Sequence, residues 1–158
     1  MAEIERKFIV EELPPDVRDT PAERIRQGYL SVAPAEVRVR SIGGSTHELT
    51  VKSAGGLVRT EVTVALTPEQ FEELWQLTEG RIEKARTRTP VQRWTAEVDV
   101  YAGGLAGLVV VEVEFASEAD GLAFTPPAWF GTEVTTDARY RNAQLALAGA
   151  PPRGGESP

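Results

Sequence analysis

Apolar and polar residues alternate through most of the chain. Val37/Val39, Leu49/Val51, Val62/Val64, Ala96/Val98/Val100 and Val109/Val111/Val113/Phe115 are interleaved with Arg38/Arg40, Glu48/Thr50/Lys52, Arg59/Glu61/Thr63, Glu97/Asp99/Tyr101 and Glu112/Glu114. A period of two places alternate side chains on opposite faces of a strand. The pattern predicts strands over 3–10, 25–32, 36–42, 46–53, 58–66, 81–88, 93–101 and 108–116. Gly43-Gly44, Gly55-Gly56 and Gly103-Gly104 with Gly107 supply turns between several of them. One segment changes period. Thr67 caps it, Pro68 occupies the first helical position, and Phe71, Leu74, Trp75 and Leu77 form an apolar stripe that ends at Gly80. A second helix is expected from Ser117, and a third from Asp137 through Leu147.

Eight strands in sequential hairpins with three or four helices describe an α+β chain that is predominantly β. An antiparallel barrel or a strongly curved sheet follows. Residues 11–20 read as a loop with a helical turn near Pro21. No linker and no repeat divides the chain, so residues 1–148 are read as one domain. Residues 149–158, rich in Pro and Gly, are read as a disordered tail.

The polar faces are unusual. Arg38-Val-Arg40 and Glu112-Val-Glu114 set like charges side by side, which costs energy unless counter-charges are near. Acidic pairs fall on the first and last strands and basic pairs between them. The three lysines, Lys7, Lys52 and Lys84, all lie in strands. A solvated sheet face would mix these residues more freely. Glu3, Glu5, Glu112 and Glu114 can converge if the first and last strands meet. The chain has no cysteine and one histidine, so a metal held here needs carboxylates, which suits Mg²⁺ or Mn²⁺. Arg38, Arg40, Lys52, Arg59 and Arg86, with Lys7 and Lys84, are the candidates to hold phosphate oxygens. The net charge of −7 argues against nucleic acid as a partner. No apolar run is long enough for a membrane helix, and the charged N-terminus is unlike a secretory signal, so the expected compartment is the cytoplasm.

The motifs in order resemble the CYTH superfamily, or triphosphate tunnel metalloenzymes. They are Glu3-Ile-Glu5-Arg-Lys7, Arg26-Gln-Gly-Tyr29-Leu, Glu36-Val-Arg38-Val-Arg40, Leu49-Thr-Val-Lys52-Ser, Arg59-Thr-Glu61, Ile82-Glu-Lys84-Ala-Arg86, Glu97-Val-Asp99-Val-Tyr101, Leu108-Val-Val-Val-Glu112-Val-Glu114-Phe and Val134-Thr-Thr-Asp137-Ala-Arg139-Tyr140-Arg-Asn142. The resemblance covers about residues 1–148. It implies an eight-stranded antiparallel closed barrel, a tunnel, whose charged faces point inward. It implies that Glu3, Glu5, Glu112 and Glu114 hold Mg²⁺ or Mn²⁺, with Asp99 or Glu97 nearby. Arg38, Arg40, Lys52, Arg59 and Arg86 would bind triphosphate, and Lys7 and Lys84 would orient water or polarise the phosphoryl group. Tyr29 is a further candidate as base or gate. Arg139 would face in from a helix at the tunnel mouth. The fifth strand departs from the pattern, with Thr63 where a second acid is usual.

The activity implied is metal-dependent hydrolysis of inorganic triphosphate to diphosphate and phosphate. Adenylate cyclase and thiamine triphosphatase chemistry are the sibling readings, and a non-catalytic polyphosphate-binding module is a third. An ordinary β-sandwich with wet charged faces is the bland competitor. His47 is read as an exposed loop residue, and Trp75, Trp94 and Trp129 as outer core. The outward apolar faces point to a homodimer.

Overall fold

The computed structural model describes residues 3–54 and 60–154; Arg59 therefore lies outside the described residues. The strands are β1 (Ile4–Ile9), β2 (Glu23–Ser31), β3 (Glu36–Ile42), β4 (Thr46–Lys52), β5 (Glu61–Ala65), β6 (Gly80–Val91), β7 (Trp94–Tyr101) and β8 (Val109–Phe115). The helices are α1 (Pro15–Arg18), α2 (Pro68–Trp75), α3 (Glu118–Ala123) and α4 (Asn142–Ala148). They make one eight-stranded antiparallel sheet in the order β1-β8-β7-β6-β2-β3-β4-β5.

The closed barrel expected from the resemblance is not formed by hydrogen bonds. β1 and β5 stand at the two ends of the strand order. The outer edge of β1 is already used by residues 131–135. Ile9 donates to Thr132 O at 2.9 Å, Gly131 to Ile9 O at 2.8 Å and Val134 to Lys7 O at 2.8 Å, while the Lys7 amide donates to Thr135 Oγ1 at 3.0 Å. With those backbone groups satisfied, β5 has no ladder to join there. β5 is exposed along its whole length.

Three other expectations shift. The helical turn forms at Pro15–Arg18, not near Pro21. The helix from Thr67 ends at Trp75, leaving Leu77 exposed. The third helix divides: a 3-10 turn at Ala138–Tyr140 is separated from α4 by Arg141, whose backbone is extended.

The outer face of the sheet holds two apolar clusters. Phe8, Ala96, Val98, Val111, Val113 and Phe115 pack with Phe124 and Phe130, and Trp94 and Trp129 lie against them. Val39 packs with Phe71 and Trp75 of α2. α2 begins with a full capping box, Thr67 and Gln70 each accepting from the other's amide. The three tryptophans are thus outer core, as expected. His47 is not in a loop. It lies in β4, half-buried, with its ring 5.2 Å from Phe71, because the β4 register puts it opposite Ser41 on the apolar side.

The inner face holds a third cluster. Ile9 of β1, Val110 of β8, Tyr101 of β7, Ile82 of β6 and Tyr29 of β2 meet Val134, Tyr140, Leu145 and Ala146. These residues come from five strands and close on α4, so the sheet curls around that helix. Gly80 makes the approach possible: a Cβ there would lie 2.8 Å from the Ala146 carbonyl carbon and 3.0 Å from the Leu147 nitrogen. α4 backbone cannot move aside without unseating the cluster. Gly80→Ala is therefore expected to cost ~1–3 kcal/mol, the usual range for overpacking. Urea unfolding of the variant checks this, and an unchanged midpoint would refute the tight seat.

Candidate active site

Directly opposed residues on neighbouring strands share a face, so the ladders show which side chains meet. Across β1 and β8, Glu5 opposes Glu114 and Lys7 opposes Glu112. Glu112 opposes Glu97 of β7. Asp99 opposes Arg86, and Tyr101 opposes Lys84, across β7 and β6. Across β2 and β3, Gln27 opposes Arg40 and Tyr29 opposes Arg38. Thr50 opposes both Arg38 and Thr63, and Lys52 opposes Glu61. Every strand-borne residue expected in the site and described by the structure thus lies on one face, the face that α4 plugs at one end.

The cationic side centres on Asp99, which is 1% exposed. Lys84 Nζ donates to its Oδ2 at 2.7 Å. Arg86 donates through Nε to Oδ1 at 2.7 Å and through Nη2 to Oδ2 at 2.8 Å. Arg86 Nη1 also reaches Glu97 Oε2 at 3.1 Å. Burial opposes ionisation of Asp99, but Lys84 and the Arg86 hydrogen bonds outweigh it and hold the carboxyl down at about 2. Burial pushes the Lys84 ammonium below its ordinary value; Asp99 pulls it back in part, and Arg86 adds to the depression. Asp99, expected beside the metal, is thus engaged by two cations: its carboxylate fixes their positions.

The acidic side carries more negative charge than Lys7 offsets. Burial first, and then the charges of Glu112, Glu3 and Glu114, raise the Glu5 carboxyl above its ordinary range, against the pull of Lys7. Glu5 and Glu114 oppose each other directly, as do Glu112 and Glu97, and like charges placed so are destabilising. No group of three or more carboxylates among the described residues is gathered into a ready cation cage. The donor set is nonetheless hard oxygen with no nitrogen or sulfur ligand, in a cluster whose mutual repulsion a divalent cation would relieve, so it fits Mg²⁺ or Mn²⁺.

Lys7 bridges the acids and the plug. Its Nζ lies 2.9 Å from Glu112 Oε1 and donates to the Tyr140 carbonyl at 3.1 Å. On the opposite side, Arg40 Nε donates to Glu48 Oε1 at 2.9 Å, Lys52 is 3.7 Å from Glu61, and Arg38 is 3.9 Å from Glu36. The Nε of Arg38 is buried with no hydrogen-bond partner among the described residues. Thr63, where a second acid is usual, pairs its hydroxyl with that of Thr50 at 3.0 Å.

Two expected residues make contacts of a different kind. Tyr29 is buried in the plug cluster, accepts a 2.6 Å hydrogen bond from Gln27 Nε2, and is pushed up by burial to about 12. A phenol held protonated in this way does not serve as a base near neutral pH. Arg139, expected on a helix at the tunnel mouth, lies on the 3-10 turn and donates to Asp137 through Nη2 at 2.7 Å and to Arg153 O at 3.4 Å.

Sequence reasoning overlooked three contributors. Gln27 falls on the charged face by the same alternation as Tyr29, so the signal was present. Asn142 accepts from the Tyr101 hydroxyl at 2.7 Å, tying α4 to β7. The Tyr140 carbonyl that holds Lys7 is backbone and leaves no mark in residue type.

The Asp99 cluster sets two expectations. The folded-state pKa lies below the ~3.9 of an unfolded aspartate, so its stabilisation is complete above that value and drains away as pH falls toward about 2. Asp99→Asn leaves Lys84 and Arg86 without their carboxylate and is expected to cost ~3–5 kcal/mol. In the variant, the loss of stability between pH 4 and 2, followed by urea titration, should be shallower than in the parent; equal slopes would contradict the assignment.

A CYTH domain profile matches residues 1–126. The chain is 46% identical over 152 residues to a protein of Nitrosomonas europaea named inorganic triphosphatase, a match that covers 94% of this chain and 99% of the relative. It is 35% identical over 149 residues to a protein of the same name from Acetivibrio thermocellus, covering 90% of this chain and 92% of the relative. A crystal structure of an inorganic triphosphatase superposes with a TM-score of 0.76 at 43% identity, covering 93% of this chain and 95% of the other. With a profile match over more than half of its length and relatives aligned nearly end to end, this chain belongs to the CYTH domain family.

Proposed function

We propose that this protein is an inorganic triphosphatase, hydrolysing linear triphosphate to diphosphate and phosphate. The observation that carries the reading is the single face on which Arg38, Arg40, Lys52, Lys84 and Arg86 meet an acidic row of Glu5, Glu112 and Glu114. The names of the two relatives point to the same substrate. When bound at Glu3, Glu5, Glu112 and Glu114, Mg²⁺ or Mn²⁺ would neutralise charge on the phosphate oxygens and on the departing diphosphate.

The chain's own residues supply the rest. Arg38 and Arg40 present donors to the polyphosphate oxygens, and the Nε of Arg38, without a hydrogen-bond partner among the described residues, is a donor to be satisfied by the substrate. Lys52 adds a point charge. Arg86, oriented by Asp99, aims a rigid fork at the chain. Lys84, whose ammonium form burial disfavours, is the proposed acceptor of the proton lost by the attacking water. The water oxygen bonds to the terminal phosphorus as the bridging P–O bond breaks, and diphosphate leaves with the bonding pair. Lys7, held between Glu112 and Tyr140, balances charge at the acidic side. Arg59 remains part of the proposed substrate set. The finer geometry proposed is an enclosed tunnel, in which bound triphosphate draws β3–β5 toward β1 and β8 across the inner face.

Lys84→Met is expected to lower kcat ~10²–10⁴-fold, the usual contribution of a positioned acid–base group, and also to lower the melting point because it removes a buried partner of Asp99, so turnover is compared at a temperature where the variant is still folded. Retained turnover would remove Lys84 from the reaction. Turnover of triphosphate, ATP and thiamine triphosphate with Mg²⁺ and Mn²⁺ separates the sibling chemistries. Triphosphate is expected to be fastest, and a chelator should abolish activity. Preferential conversion of ATP to a cyclic nucleotide, or binding with no hydrolysis of any of the three, would overturn the reading.

A further inference from the structure

The plug closes one end of the inner face. At the other end, a cavity of about 670 Å³ opens beside the site, with Arg86 as a shared wall. Its remaining charged walls are Glu23, Arg24 and Arg88, and the Gly43-Gly44 turn forms one side. Glu23, Arg86 and Arg88 belong to the inner face, since Glu23 opposes Arg86 and Arg88 opposes Glu97. Arg88 follows Arg86 by two residues, so it extends the basic row about 6.8 Å toward solvent at ~3.4 Å per residue.

Arg88 is held loosely compared with Arg86. Its Nη2 shares Glu97 Oε2 with Arg86, at 2.9 Å, and its Nη1 is 3.7 Å from Glu23 Oε2. Its side chain is 57% exposed, so it can turn toward a ligand without leaving a buried charge behind. Three arginines and one glutamate line the cavity; Arg86 is committed to Asp99 and Glu97, so the donors free to turn to an anion are those of the more exposed Arg88 and Arg24. Among the described residues the walls contain no aromatic side chain, so these walls offer no stacking surface for a nucleobase or a thiamine ring. The space is wide enough for several phosphate units beyond those held by Arg38, Arg40 and Arg86.

We propose that this cavity is an outer anion subsite, with Arg88 as its specificity-determining residue, that takes the distal phosphates of inorganic polyphosphate chains longer than three units. The proposal rests on the reading that triphosphate lies on the inner face, with the chain leaving past Arg86. Arg88 then exchanges its 3.7 Å contact with Glu23, and its share of Glu97, which Arg86 continues to pair, for phosphate oxygens, and Glu23 acts as the competing anion that disfavours long chains. The two residues therefore have opposite effects on chain-length preference, which a purely structural ion pair would not show.

The test measures dissociation constants of triphosphate, of a medium-length inorganic polyphosphate and of ATP by calorimetry. The same polyphosphate is also tested as an inhibitor of triphosphate turnover. Arg88→Ala is expected to weaken the long chain about tenfold more than triphosphate, as the loss of one charge-assisted contact would do. Glu23→Gln is expected to tighten the long chain relative to triphosphate. Equal effects on both ligands in Arg88→Ala, or a Glu23→Gln ratio unchanged or shifted in the same direction as Arg88→Ala, would overturn the subsite. An Arg88-dependent gain for ATP as large as that for polyphosphate would overturn its assignment to inorganic chains. If calorimetry shows the opposed shifts but no hydrolysis occurs, the subsite stands and the triphosphatase reading falls; hydrolysis with no opposed shifts has the reverse meaning.

Discussion

A carboxylate buried between two cations organises this molecule. Asp99 takes Lys84 on one oxygen and the fork of Arg86 on both. Three charges withdrawn from water carry a desolvation penalty that only close, well-directed pairing can offset. The geometry meets that condition, and it leaves Lys84 and Arg86 with fixed directions. Burial, against the pull of Asp99, leaves Lys84 less basic than an exposed lysine. The same contact thus secures β6 to β7 and holds Lys84 in place on the inner face.

The acidic row shows the opposite economy. Glu5, Glu112 and Glu114 are kept near each other by register, without enough cations of the chain's own to balance them. Lys7 offsets one of them. A fold that tolerates such repulsion is storing electrostatic free energy that a cation can release on binding. The contrast between an over-determined Asp99 cluster and an under-neutralised glutamate row separates the part of the site that is prebuilt from the part that awaits a ligand.

The inner face is divided along its length. At one end Tyr29, Ile82, Tyr101 and Val110 exchange water for contact with α4. Further along, the same strands carry Lys84, Arg86 and Glu112. The apolar end therefore makes a dry floor against which Lys7 and Lys84 are set, and low exposure there strengthens every charge interaction nearby. Gly80 is the steric condition for that floor, because α4 backbone rests where a side chain would stand.

Alternation of residue types was enough to locate the eight strands, the capped helix and the face on which the charges lie, since strand geometry ties period directly to side. It also identified Lys7, Lys84, Arg38, Arg40 and Arg86 as members of one set. Pairing partners were beyond it. That Asp99 belongs to Lys84 and Arg86 depends on the β6–β7 register, and that Tyr29 is a plug residue depends on α4 arriving from 113 residues later, the separation from Tyr29 to Asn142. His47 was misplaced because a histidine near Gly43-Gly44 looks like loop until β4 is seen to begin at Thr46. Closure of the barrel was likewise undecidable locally: whether β1 pairs with β5 or with residues 131–135 turns on competition for the same amides and carbonyls. Sequence period chooses a side of the sheet, but only the folded chain decides which distant groups share it, because that choice is made by contacts no short segment contains.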